Sequence, residues 1–165
     1  MTMSRVPSLI IKSTWFQLLW VMAVLGQDKW QLLLVALVAI TVVMASYFDR
    51  RAVLSMAVIF LSGLVIDSLN LYSGVLVFNQ DVLPLWLIAL WAAFGWYAVV
   101  LFSVVNRYPL FLVSIVGGIA GALSYFAGLK IGAVSWSFSP IATSLILFLE
   151  WTLLMALVVR IQTRD

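Results

Sequence analysis

The stretch "AVLSMAVIFLSGLVIDSLNLY", residues 52–72, decides the fold. A helix that crosses a bilayer needs about 20 mostly apolar residues, because each contributes about 1.5 Å against about 30 Å of hydrocarbon. This segment meets that length and carries a single charge, Asp67. It therefore reads as a transmembrane helix, and Asp67 becomes the residue to explain. Working outward, five more segments have the same character: Ser8–Leu25, Trp30–Tyr47, Leu83–Val105, Pro109–Leu129 and Pro140–Val159. The expectation is an all-α, polytopic membrane protein: one domain over residues 1–165, folded as a six-helix bundle.

Composition supports that class. The chain of 165 residues is 65% hydrophobic and 9% charged. A soluble domain needs roughly a quarter to a third of its surface charged. The net charge of +3 is no nucleic-acid signal, because the basic residues sit at the ends of the apolar runs. Short polar breaks separate the segments: "GQDKW" after the first, "FDRR" after the second, "NRYP" after the fourth. Pro84, Pro109 and Pro140 fall near helix starts, where a missing N–H costs nothing. No sustained alternation of the barrel type occurs. The first segment lacks a small-residue cleavage site and reads as a retained helix, not a signal peptide.

Lys and Arg placement sets the expected orientation. With the N-terminus in the cytoplasm, Arg5, Lys12, Arg50, Arg51, Arg107, Arg160 and Arg164 lie inside, and only Lys29 and Lys130 outside. Six spans bring the C-terminus back inside, giving N-in and C-in. Trp30, Trp86 and Trp136 then mark the outer interface, and Tyr47 and Tyr108 the inner one. Two outer connections are long, Ser73–Val82 and Lys130–Ser139, and are expected to fold back into the interface. In the fifth segment Gly117 and Gly121 form G-x-x-x-G, with Ser124 and Gly128 on roughly the same face. Small residues let helices approach closely in lipid, so Gly117, Gly121 and Gly128 are expected to pack inside the bundle.

Asp67 lies about 22 Å along its span, and Asn70 follows on the same face. Ser124 and Tyr125 reach a similar depth, and Lys130 near the outer end of its span is long enough to snorkel. Glu150 lies about 15 Å into the last span, near the midplane. Intramembrane acids face the bundle interior or a wet cavity. One reading is an outward-facing ligand pocket lined by Asp67, Asn70, Ser124, Tyr125, Lys130 and Glu150. The other is a polar cluster that only pins helices together.

Function classes narrow by absence. There are no histidines and no cysteines, which removes the usual metal ligands, thiol nucleophiles and His-based acid–base catalysis. No nucleophile elbow or phosphate-binding loop occurs. No metal or other cofactor is expected, nor a nucleic-acid partner, and an enzyme is the least favoured class.

Three stretches carry a resemblance: "GLVIDSLNLYSGVLVF" (63–78), "LPLWLIALWAAF" (83–94) and "GGIAGALSYFAGLKIGAV" (117–134). Together they resemble the uncharacterised bacterial inner-membrane "domain of unknown function 2878" family. Ala122 stands where the resemblance leads one to expect Pro. The resemblance implies a multi-pass protein of the bacterial inner membrane with no assigned activity, often encoded near enzymes that modify membrane fatty acids. The expected function is to bind a lipid-like or small ligand as an accessory or transport subunit. Its expected partners are membrane lipids and another membrane subunit. The alternative is a structural or assembly factor.

Overall fold

In the computed structural model, which describes residues 5–50 and 52–163, all regular structure is helical. Five helices follow one another: α1 Arg5–Phe48, α2 Ala52–Tyr72, α3 Leu85–Val105, α4 Leu110–Ile131 and α5 Pro140–Gln162. All five are long and apolar enough to cross a membrane. Arg51, Arg164 and the side chain of Arg5, three of the seven residues assigned to the inner side by sequence, lie outside the described residues.

The count differs from the six expected helices. The first two segments form one helical run of 44 residues, α1, broken only at Gln27. The break at "GQDKW" is confined to one residue, so no loop separates the two arms. Gln27 instead takes a left-handed conformation, φ 41° and ψ −129°, which costs a residue with a Cβ about 1–3 kcal/mol. Its side-chain amide donates to the Val24 carbonyl at 3.3 Å. The chain reverses here. Trp15 Nε1 donates to Thr41 Oγ1 at 3.1 Å although 26 residues separate them, a distance of about 39 Å along a straight helix. Gly26 sits at the bend, where a Cβ would press into Trp30.

The helix ends follow local chemistry. Pro84 and Pro109 cap α3 and α4. Ser139 Oγ accepts from the Ala142 N–H at the start of α5, with Pro140 in the first turn. Gly132 closes α4 in the left-handed conformation, φ 80°, which glycine adopts without penalty.

Helix α1 packs mainly on α3, α3 also on α2, and α4 mainly on α5, while α2 and α3 both reach across to α5. The bundle therefore has two parts, with little contact between α1 and α4. The two long connections pair with each other across one end. Val77 and Ser135 exchange both backbone hydrogen bonds at 2.8 Å. Val75, Leu76, Ala133 and Val134 are buried beneath that bridge. Trp86, expected in the outer lipid interface, is instead turned inward and buried, edge-on to Phe78.

Candidate functional site

The site is organised by one stripe of α2. Gly63, Asp67 and Asn70 share a face at i, i+4 and i+7, and all three are buried. Gly63 sets the geometry. A Cβ there would fall inside the indole of Trp91. The missing side chain thus lets Trp91, from α3, lie flat on α2 and reach the next turn. There its Nε1 donates to Asp67 Oδ2 at 2.6 Å. Tyr125 Oη, from α4, donates to the same oxygen at 2.5 Å. Asp67 is 1% exposed. Three helices are tied at one carboxyl oxygen.

A second glycine plays the same part opposite. At Gly121 of α4 a Cβ would fall inside the indole of Trp151 from α5. Trp151 then stacks on Trp91, with ring centroids 5.3 Å apart and planes 17° apart. Phe94 closes the group edge-on, 5.1 Å from Trp151 and 5.7 Å from Trp91. Each tryptophan lies on a helix surface bared by a glycine, and the two rings join the two parts of the bundle.

The second acid is held differently. Asn70, 2% exposed, donates through Nδ2 to Glu150 Oε2 at 2.8 Å. The two residues lie at different depths by residue count. In every helix the Cα–Cβ bonds tilt toward the N-terminus. Because α2 and α5 run antiparallel, Asn70 leans down and Glu150 leans up, and they meet. Glu150 stays half-buried.

The other residues singled out by sequence separate. Ser124 accepts from Trp20 Nε1 at 2.8 Å, a link from α1 to α4. Lys130 is exposed and lies over the Phe126 ring, 5.2 Å from its centroid. Gly117 admits Met155 from α5, and Gly128 meets Val134 of the covering loop only at ordinary contact distance. Asp67, Asn70, Tyr125 and Glu150 thus stand together, Ser124 lies near them, and Lys130 points elsewhere. Trp91 and Trp151 were missed by sequence, since tryptophan in an apolar run reads as another hydrophobe. A signal existed: a buried Trp N–H needs an acceptor, and a buried acid needs donors.

Two hollows flank this seam. The first is a slot of about 520 Å³ between α1 and α3 on one side and α4 on the other. It follows α3 from Trp86 to Leu101, about 22 Å along the helix. Trp91, Trp151 and Phe94 form its floor; Ala120, Ser124 and Tyr125 are among its α4 wall. Asp67 and Asn70 are not in its wall. Leu76 and Val134 of the paired loops are buried against Tyr125 at that end. The second hollow, about 530 Å³, lies between α2 and α5 and includes Glu150.

A model of the family described as "Protein of unknown function (DUF2878)" matches residues 9–157. No curated protein and no solved structure matches the chain. The chain belongs to the DUF2878 family.

Proposed function

We propose that this member of the DUF2878 family is a non-enzymatic membrane protein that holds one apolar chain of a lipid-like ligand in the slot between α1, α3 and α4. The slot carries the reading. Its volume of about 520 Å³ falls in the range of ligand sites, roughly 300–1,000 Å³. Its walls are mostly aromatic, aliphatic and small side chains, and it runs parallel to the helices, as an acyl chain does in a bilayer. Tyr125 and Trp91 line it from one side and hold Asp67 from the other. In this reading Asp67 fixes the wall and does not touch the ligand.

The setting we propose is a bacterial inner membrane, with α1 crossing twice and both ends cytoplasmic. Two facts support the six crossings: α1 measures about 66 Å against about 30 Å of hydrocarbon, and its arms touch at Trp15 and Thr41. Arg50, Arg107 and Arg160 fall at one end of the helices, Lys29 and Lys130 at the other. Reporter fusions after Arg107 should read cytoplasmic and one after Asp81 external; the reverse pattern overturns this orientation. With no nucleotide motif of its own, the chain would act beside another membrane subunit if the ligand is moved.

A second reading, a structural or assembly factor, is favoured by one observation: Asp67 is sealed and shared by two donors, as an architectural pin would be. Native mass spectrometry of the protein in mild detergent, beside Ala120→Trp, separates the two. Ala120 is exposed at the slot, so the indole fills the slot without entering a packed contact. The ligand reading expects a discrete lipid on the wild type, reduced at least tenfold in the variant. Equal lipid on both, or none on either, overturns it and leaves the structural reading.

A further inference from the structure

Glu150 is not explained by the slot. It lines the separate hollow between α2 and α5. Apart from Ser62, the walls there are aliphatic: Leu61, Val65 and Ile66 from α2, Leu153 and Leu157 from α5. Leu61, Val65, Leu153 and Leu157 are exposed and would face lipid. Glu150 is the only ionisable side chain in this lining. It stands about 15 Å from the start of α5, at the depth where a charged group is most costly.

Among the described residues, its hydrogen-bond partner is Asn70, which engages Oε2. Asn70 is an amide and brings no charge. Oε1 has no hydrogen-bond partner there. Asp67, the other acid nearby, is sealed behind Trp91 and Tyr125 and also brings no positive charge. The site thus has a carboxyl held in place on one oxygen, a second oxygen with no bond, and hydrocarbon walls around both.

We propose that the α2/α5 hollow binds an apolar organic cation, with Glu150 as its counter-charge. The chemistry narrows the class. A small hydrated ion finds only the Ser62 hydroxyl beside the carboxyl, too few oxygens to replace its water, and is excluded. An anion of the same size finds no counter-charge there. A neutral hydrocarbon gains nothing from the carboxyl. An organic cation whose charge is spread or shielded by apolar groups sheds little hydration, packs on the aliphatic walls and pairs with the carboxylate. Asn70 is a positioning residue that aims the carboxyl.

The test uses the full chain in nanodiscs, with tetraphenylphosphonium as the probe and tetraphenylborate, its anionic counterpart in shape, as the control. Empty nanodiscs give the background partition of each ion. The expected result is saturable binding of the cation and none of the anion. Glu150→Gln keeps an acceptor for Asn70 and should weaken the cation at least tenfold. Val65→Trp fills the hollow from its lipid side and should also weaken it at least tenfold, in case Glu150→Gln disturbs the fold. Ala120→Trp, in the separate slot, should leave it unchanged. Equal binding of both ions, affinity within twofold in Glu150→Gln, or no saturable binding overturns the proposal.

Discussion

Asp67 and Glu150 are both acids inside apolar helices, and the protein treats them in opposite ways. Asp67 is 1% exposed, and one of its oxygens receives two donors from two other helices. Glu150 is half-buried and bonded to one amide. The difference begins with the neighbours on α2. Gly63, one turn before Asp67, lets a large aromatic ring lie on the helix and close over the acid. Around Glu150 the α2 residues are Leu61, Ser62, Val65 and Ile66, which keep α5 at a distance and leave a hollow. Sealing an acid with matched donors makes a fixed joint. Leaving an acid half-exposed beside hydrocarbon makes a handle for something else.

Three substitutions would break or sharpen that contrast. The largest effect is expected at Asp67→Ala. It orphans Trp91 Nε1 and Tyr125 Oη together, at about 1–2 kcal/mol each, so stability should fall by about 3 kcal/mol. Reversible unfolding in mixed micelles, followed by circular dichroism, measures it. A loss below 1 kcal/mol would mean that the joint carries little. Gly63→Val tests the cause of the sealing. The new side chain overpacks the Trp91 seat, at about 2 kcal/mol, and should also diminish the near-ultraviolet signal of the stacked Trp91–Trp151 pair. An unchanged signal would separate the glycine from the ring geometry. The smallest effect belongs to Glu150→Gln, which keeps the acceptor for Asn70; stability should change by less than about 0.5 kcal/mol. A loss comparable to that at Asp67 would erase the contrast.

Much of the fold could be read from apolar run lengths and prolines. The reading of residues 52–72 coincides with α2, and Pro140 does begin α5. The joint at Asp67 was half legible, since counting depth put Tyr125 beside it. Two features were hidden for physical reasons. The break at Gln27 lies in backbone angles that no residue type there demands, because a left-handed glutamine is a strained exception. The Asn70–Glu150 bond was hidden because residue counts measure Cα depth. Side chains on antiparallel helices lean toward each other and cross that gap. The aromatic pairing was out of reach for a third reason. Glycine and tryptophan match in size across helices, and a single sequence does not say which glycine receives which ring.

The bend at Gln27 bears on how such a chain enters a membrane at all. In a six-crossing arrangement its two arms form a closed hairpin whose tip is only Gln27, Asp28 and Lys29 before the apolar residues resume. Such a tip asks the insertion machinery to carry across one acid and one base of opposite sign, with no long polar segment between them. The arms already hold each other through Trp15 and Thr41. In that arrangement residues 5–48 can leave the translocation channel as one paired unit, ready to offer α3 a finished surface when it emerges later in synthesis.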